Sequence, residues 1–230
     1  MSILRGRTYG DSEAATSEER ASTRAPQLKL LSLLLQYPTA DVAENETEVT
    51  ALVRAMPASV VTGALATFLD AWHRMGLLAL QQEYVRAFDF QKRVSLHLTY
   101  YQYGDQRQRG LALVRLKRAY AAAGLPLCEG ETSDYLPAVL EFAALAPAGY
   151  DAVLLKEHRV SIEMLRLGLK EDSIYRSLVD GLCSILPRLS HDDREAVRSL
   201  LAGGPPTEQV GLEPFAPPEV MPEPVSGGRR

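Results

Sequence analysis

The chain has 230 residues, of which 46% are hydrophobic and 23% charged, a globular composition that suits one domain with a substantial core. Its net charge of −4 does not favour DNA, RNA or an anionic membrane as a partner. The two cysteines, Cys128 and Cys183, lie too far apart for a CxxC pair, so we expect reduced thiols rather than a disulfide framework or a zinc site.

The two ends of the chain differ in composition from its middle. Residues 1–25 are polar and lack the apolar core of a secretory signal, which predicts a disordered N-terminal tail. Residues 203–230 are dense in proline and glycine, which predicts a disordered C-terminal tail. The folded domain then spans residues 26–202. Its most apolar run, 28–35, is much shorter than the roughly 20 residues that cross a bilayer, which predicts a cytoplasmic protein without direct membrane insertion.

Between the tails, apolar residues recur with the period of an α-helix. The segments with this period are 28–38, about 41–55, 58–76, 77–90, 105–126, 133–147, 148–172, 173–187 and 192–204. Helix-stopping residues such as Pro38, Gly76 and Pro187 separate several of them. The pattern predicts an all-α fold, a single compact bundle of about nine helices. Only residues 94–101 (VSLHLTYY) fit a helical and an extended conformation equally well.

The helix expected over 105–126 has two charged residues at one end of its apolar face. Asp105 and Arg109 are four residues apart, a spacing that permits an ion pair, and Asp105 is also a good helix cap. One interpretation is a cap and a partly buried salt bridge that fix the turn at Gly104. The other is that this end of the helix forms the rim of a groove for a partner.

An acidic stripe accompanies the helix expected over 133–147. Ser133 or Asp134 is the expected N-cap. Asp134 and Glu141 lie on the side opposite the apolar residues, and Glu131 comes just before them. Such a stripe fits a solvated face, and it also fits a surface that attracts a basic amphipathic peptide.

Two polar residues lie on or near the apolar face of the helix expected over 148–172. Glu157 shares this face, and because burying an unpaired carboxylate is costly, we expect it to have a partner, with Arg109 as one candidate. His158 lies at the edge of the face, where a structural or an exposed position is expected.

Motifs of common enzymes and metal sites are missing from the sequence. The four histidines form neither an HxxxH nor an HExxH pattern, and no GxSxG elbow, P-loop or GxGxxG motif occurs. We therefore expect no catalytic residues, no metal site and no bound cofactor.

Several short elements follow one another in a specific order. They are Glu83-Tyr84-Val85 with Phe88-Asp89, Ser95-Leu96, the Gly104-Asp105 turn with Arg107, Arg109 and Gly110, and Asp134-Tyr135-Leu136-Pro137 with Glu141. In this order they resemble the NarJ-type assembly chaperones of respiratory nitrate reductase, also called nitrate reductase delta subunits. The resemblance runs from about Leu28 to Leu201 and is most specific between Glu83 and Phe142.

The resemblance implies an all-helical chaperone that is not an enzyme. Such a protein binds the apo catalytic subunit of the reductase, including its N-terminal segment. It keeps that subunit competent for insertion of the molybdenum cofactor and an iron–sulfur cluster before attachment to the membrane. The alternatives are a chaperone for a different molybdoenzyme or a permanent structural subunit. The sequence does not distinguish a monomer from a dimer.

The wider chaperone group often carries a Glu-Pro-x-Asp-His segment that this chain keeps only in part. Here Glu131 and Asp134 are present, while the proline and the histidine are absent. We expect a client helix to bind in a groove with an apolar floor and a polar rim. The expected client-binding residues are Tyr100, Tyr101, Gly104, Asp105, Arg107, Arg109, Glu131, Asp134, Tyr135 and Glu141. The two adjacent tyrosines fit equally well in the core.

Overall fold

A computed structural model describes residues 18–91, 93–104, 106–147 and 150–203. These residues form eleven helices. The helices are α1 (Glu18–Leu34), α2 (Ala40–Glu44), α3 (Glu46–Ala55), α4 (Val60–Phe88), α5 (Leu98–Tyr103), α6 (Arg107–Ala122), α7 (Leu136–Leu145), α8 (Tyr150–Glu157), α9 (Arg159–Gly168), α10 (Ile174–Ile185) and α11 (His191–Gly203). The predicted all-α class is confirmed, since the described residues contain an isolated bridge between His97 and Tyr135 but no β-strand.

Three helix boundaries differ from the prediction. The segment 41–55 is divided at Asn45, whose side-chain amide donates to the Asp41 carbonyl at 2.7 Å. Gly76 does not end a helix, because its φ of 75° lets the backbone kink while α4 continues on both sides. The segment 148–172, expected as the longest helix, is divided into α8 and α9 at His158.

The ambiguous segment 94–101 is part extended and part helical. Its extended part pairs with the chain just before α7: the Leu136 amide donates to the Leu96 carbonyl at 2.7 Å, and the Leu98 amide donates to the Asp134 carbonyl at 3.0 Å. The backbone then turns into α5. This pairing brings Asp134 next to the start of α5, which positions the candidate site.

The core is centred on the packing of α10 against α4. Gly181 permits the close approach, because a Cβ atom at this position would lie 2.8 Å from the Cβ of Ala64. Next to this contact, the ring of Tyr175 packs at a steep angle against both Phe68 and Phe88, with centroid separations of 5.1 Å to each. Aromatic pairs at this distance add stability beyond the area that they bury.

Helix α1 covers the other side of the bundle by packing on α7. The Ser32 hydroxyl donates to the Pro137 carbonyl in the first turn of α7 at 2.7 Å. The Lys29 ammonium group forms an ion pair with Glu141, whose side chain is fully buried. Glu141 is therefore part of the α1–α7 contact rather than of an exposed stripe.

Helix α1 begins at Glu18, seven residues before the expected end of the N-terminal tail, and α11 ends at Gly203, at the start of the expected C-terminal tail. Residues 1–17 and 204–230 lie outside the described residues, so disorder in these tails stays a prediction. Among the helices that the structure describes, none combines the length and apolar character needed to span a membrane.

Candidate functional site

Asp134 is a fully buried carboxylate just before α7. Its Oδ2 accepts hydrogen bonds from the backbone amide of Thr99, at 3.2 Å, and from the hydroxyl of the same residue. The Nη2 atom of Arg109 lies 3.5 Å from this oxygen, and the Nδ1 atom of His97 lies 3.2 Å from Oδ1. One carboxylate thus joins the segment before α5, α5 itself and α6.

These contacts keep Asp134 ionised. Burial alone would raise the pKa of its carboxyl, but hydrogen bonds from His97 and Thr99, with the charges of His97 and Arg109, hold that pKa below its usual range. The Arg109 Nε atom also donates to the Thr99 hydroxyl at 3.2 Å. We refer to Asp134, Thr99, Arg109 and His97 as the Asp134 cluster.

The sequence predictions for Asp134 need two corrections. The N-cap of α7 is Tyr135, not Ser133 or Asp134. Arg109 pairs with Asp134, and because Asp105 lies outside the described residues, the expected Asp105–Arg109 pair stays a prediction. Asp134 does not lie on an exposed acidic face, because segments far away in sequence cover it and supply its partners.

Asp134 contacts an imidazole although the family histidine is absent from the sequence. Tyr135 occupies the position after the aspartate, and its hydroxyl lies 3.4 Å from that of Tyr84 in the core. The imidazole that contacts Asp134 comes instead from His97, 37 residues away in sequence. The sequence motif alone does not predict this carboxylate–imidazole contact.

The remaining predicted residues are divided between the core and the surface. Tyr101 is buried, and its hydroxyl accepts a hydrogen bond from the Ser95 amide at 2.8 Å. Gly104 is buried too, and its φ of 54° favours glycine at this turn. Tyr100 is half-buried, whereas Arg107 and Glu131 are exposed.

A groove of about 850 Å³ opens beside the Asp134 cluster, between α5, α6, α7 and α8. Its apolar lining includes Ala112, Leu116 and Ala119 of α6, Phe142 of α7, and Val153 and Leu154 of α8. Thr99 of the Asp134 cluster also lines it. A cavity of this size and character suits a ligand that inserts several apolar side chains.

The rim of the groove differs from the expected acidic rim. Arg115 and Arg118 of α6 contribute guanidinium groups to it, and Glu157 of α8 contributes a carboxylate. Glu157 is exposed, so the expectation that it lies on a buried face is wrong. Val153, one turn earlier on α8, is exposed too, so this face of α8 is directed away from the core.

His158 is a groove residue whose importance the sequence pattern did not reveal. It lies where α8 meets α9 and lines the groove. Only 5% of the residue is exposed, and neither ring nitrogen has a hydrogen-bond partner among the described residues. The apolar period continues through 148–172 without interruption. The sequence pattern therefore gave no sign that the helix breaks at His158.

In the described part of the chain, no three His, Cys, Asp or Glu side chains lie close enough together to hold a metal ion. Cys128 and Cys183 are both partly buried and are not joined in a disulfide. Burial raises the pKa of the Cys183 thiol to about 11, which keeps it protonated near neutral pH.

The chain is similar to known proteins over the region that contains both the groove and the Asp134 cluster. The sequence profile of the family described as nitrate reductase delta subunit matches residues 54–174. The probable nitrate reductase molybdenum cofactor assembly chaperone NarJ of Bacillus subtilis (strain 168) is 32% identical over 160 residues, which is 69% of this chain and 87% of that protein.

Two further relatives match segments of similar length. The nitrate reductase molybdenum cofactor assembly chaperone NarJ of Escherichia coli (strain K12) is 30% identical over 174 residues, which is 74% of this chain and 73% of that protein. The nitrate reductase-like protein NarX of Mycobacterium tuberculosis (strain ATCC 25618 / H37Rv) is 33% identical over 153 residues, but the match covers only 23% of that protein.

Proposed function

The chain belongs to the nitrate reductase delta subunit family, and from this premise we propose that it is a maturation chaperone for a respiratory nitrate reductase. The names of the Bacillus subtilis and Escherichia coli relatives, both molybdenum cofactor assembly chaperones, support this proposal. The client is the apo catalytic subunit. The chaperone keeps it competent for insertion of the molybdenum cofactor and an iron–sulfur cluster before membrane attachment, and it has no catalytic activity of its own.

The observation that carries the mechanism is the apolar groove between α5, α6, α7 and α8. A helix can place one face of apolar side chains in such a groove while its polar face stays in water. The N-terminal segment of the catalytic subunit is the occupant that we propose. Burying its apolar side chains supplies the affinity, and the charged rim fixes its orientation.

The Asp134 cluster positions the wall of this groove. Thr99 belongs both to the cluster and to the groove lining, and Arg109 is part of α6. Because Asp134 binds both residues, it fixes α5 relative to α6 and thereby sets the width of the groove. Asp134 therefore acts on the client indirectly. Glu141 acts in the same way, through α1 and α7.

Other predicted client-binding residues have atoms that a client can reach. Tyr100 is half-buried, and Arg107 and Glu131 are exposed on segments next to the groove helices. We propose that these residues contact parts of the client that extend beyond the groove. Tyr101 and Gly104 support α5 from the inside, because the Tyr101 hydroxyl contacts the segment before this helix and Gly104 forms the turn after it.

A pair of variants on α6 tests the groove as the client site. Ala119 lines the groove, whereas Ala121 is exposed on the same helix and does not line it. Ala119→Glu places a long charged side chain in the groove, and Ala121→Glu makes the same chemical change outside it. Calorimetric titration with a peptide of the client's N-terminal segment should show one-to-one binding for wild type and Ala121→Glu, and at least about tenfold weaker binding for Ala119→Glu.

Each other result has a defined meaning. Equal affinity in all three proteins would place the client site outside the groove. Binding to the apo catalytic subunit but not to the peptide would support the chaperone function and would exclude the N-terminal segment as its target. Co-purification with the mature, active reductase would favour a permanent subunit, and binding only to the apo catalytic subunit of another molybdoenzyme would favour a different client.

A further inference from the structure

A second cavity, of about 550 Å³, lies between α9, α10 and the segment that leads into α11. It shares no lining residue with the groove between α5, α6, α7 and α8. We call it the arginine pocket, because its lining includes the guanidinium groups of Arg159, Arg166, Arg188 and Arg194. The carboxylates of the lining are those of Glu163 and Asp180, so cations outnumber anions there by four to two.

Both of these carboxylates are already shared between arginines. Glu163 accepts hydrogen bonds from Arg159 at 3.1 Å and from Arg166 at 2.9 Å. Asp180 accepts one from Arg166 and one from the neighbouring Arg176, each at 3.3 Å. No carboxylate of the pocket therefore remains for its other two arginines.

Arg188 and Arg194 form no ion pair with any of the described residues. Both are exposed, and Arg194 donates to the Leu189 carbonyl at 3.0 Å, a neutral group that leaves its charge uncompensated. The nearby Asp193 is engaged elsewhere, since it accepts a hydrogen bond from the Ser190 amide at 2.8 Å. The arginine pocket thus carries two unmatched positive charges at its opening.

An exposed apolar side chain lies between this pocket and the end of α11. Leu201 is 45% exposed. It comes seven residues after Arg194, which places both side chains on one face of the helix, two turns apart. Gly203, the last residue of α11, follows two residues later. A chain that turned back from Gly203 along this face would cover Leu201 first and then reach Arg194.

The sequence after α11 has the charge that the pocket lacks. Residues 204–228 contain no lysine, arginine or histidine, and their acidic residues are Glu208, Glu213, Glu219 and Glu223. The stretch begins with Gly204-Pro205-Pro206, a composition typical of a turn. It therefore combines a signal for chain reversal with a run of negative charge.

The first two glutamates can reach the pocket without strain. Arg194 and Gly203 are nine residues apart in α11, about 14 Å along the helix axis. Glu208 comes five residues after Gly203, and an extended chain of that length spans up to about 17 Å. Glu213 follows after five further residues, enough to cross the rest of the pocket.

We propose that the C-terminal segment 204–213 folds back along α11 and docks in the arginine pocket of its own chain. Pro205 and Pro206 cover Leu201, Glu208 pairs with Arg194, and Glu213 pairs with Arg188. The docked segment excludes other anionic groups from the pocket. This interaction goes beyond the proposed function and does not depend on it, because it uses a different surface.

Tethering makes these contacts effective. One exposed ion pair is worth little by itself, because water and salt screen it. Two pairs on a segment joined to the domain by a few residues act together, since the short link holds the segment near its site at roughly millimolar effective concentration. The docking should weaken as the salt concentration rises.

Carbodiimide crosslinking of the full chain tests the contact directly, because this reagent joins a carboxylate to an amine only where the two touch. Arg194→Lys keeps the positive charge and supplies the amine. Arg115→Lys is the matched control, an exposed arginine that lines the other groove. Mass spectrometry of the digested chains should find at least about tenfold more linkage of Glu208 to position 194 than of any tail glutamate to position 115. Salt at about 0.5 M should reduce the linkage severalfold.

A second pair of variants tests whether the two glutamates dock together. In the Arg194→Lys chain, Glu213→Gln should lower the linkage of Glu208 about threefold, because one of two cooperating pairs is lost. Glu223→Gln makes the same chemical change beyond the docked segment and should leave the linkage unchanged. Equal linkage in both variants would contradict a role for Glu213.

Mixing isotopically labelled and unlabelled chains before crosslinking identifies the occupant. Linked peptides with a single label composition support docking within one chain, whereas mixed pairs would assign the pocket to the tail of a second copy and overturn the proposal. Tail linkage that is absent, or equal at positions 194 and 115, would also overturn it, and a preference for position 115 would place the tail in the other groove. The client titrations leave this result untouched, so the two proposals can fail separately.

Discussion

Mild acid is expected to destabilise this protein through His158. Burial lowers the pKa of this imidazole from 6.5 to about 4 in the folded state. In the unfolded chain the ring is in water and titrates near 6.5. Between these two values the unfolded state binds a proton that the folded state excludes, so the free energy of unfolding must decrease as the pH falls.

The size of the effect follows from the difference between the two pKa values. The stabilising contribution is complete above about pH 6.5, is lost as the pH falls through the window, and changes no further below about pH 4. At pH 5 the loss amounts to about 2 kcal/mol, and below the folded-state pKa it reaches roughly 3 kcal/mol. Because stabilities of single domains are typically about 5–15 kcal/mol, such a loss is readily measured.

Urea unfolding followed by far-ultraviolet circular dichroism at several pH values from about 7 to 5 is a suitable assay. Wild type should lose about 2 kcal/mol over this range, and His158→Phe, which has no group to titrate here, should lose much less. The exposed control His191→Phe should follow wild type.

Other groups with shifted pKa values do not obscure the comparison. Burial would raise the pKa of the Asp134 and Glu163 carboxyls, but their hydrogen bonds and nearby cations lower it overall. Their stabilising contributions are therefore lost only at lower pH, as the solution pH falls below the ordinary carboxyl range of about 4. If His158→Phe and wild type lost equal stability between pH 7 and pH 5, the assignment of acid sensitivity to this ring would be refuted.

Two further predictions concern stability. Asp134→Ala removes the partner of Arg109 and of the Thr99 hydroxyl, and it should cost about 3 kcal/mol in urea unfolding. Alanine at exposed Glu131 should change stability by no more than about 0.5 kcal/mol, and a similar effect at both positions would contradict the role of the Asp134 cluster. Gly181→Ala should destabilise by about 1–3 kcal/mol, because its Cβ would lie 2.8 Å from another side chain where α10 crosses α4. Gly63→Ala, in an exposed and open position of α4, should instead stabilise the protein by up to about 1 kcal/mol. Thermal unfolding of both variants checks whether the room around the added methyl group decides if the midpoint falls or rises.

Local patterns were sufficient for the helices and for much of the core. The apolar face of the segment 105–126 contains Leu116 and Tyr120, and both are buried. Arg107 and Lys117 lie on its opposite, polar face, and both are exposed. This agreement has a simple cause, since a helix must turn its apolar side toward the interior whatever it packs against.

Local patterns did not reveal where helices break inside a continuous apolar period. The residues before and after His158 keep the period, yet the chain ends α8 and begins α9 at this point. Gly76 shows the opposite case, in which a residue expected to end a helix only kinks it. Whether a helix breaks or continues depends on the segments against which its two parts pack, and these segments are distant in sequence.

The candidate site shows most clearly what local sequence patterns can and cannot predict. Amphipathic spacing and the family resemblance identified Asp134 as an important residue, but assigned it to an exposed acidic face. Its partners Thr99 and His97 are 35 and 37 residues away in sequence, and only the pairing of two extended segments brings them to it. A helical period reports the polarity of one helix, whereas the burial of a carboxylate and the charge of a groove rim depend on which distant segments cover them.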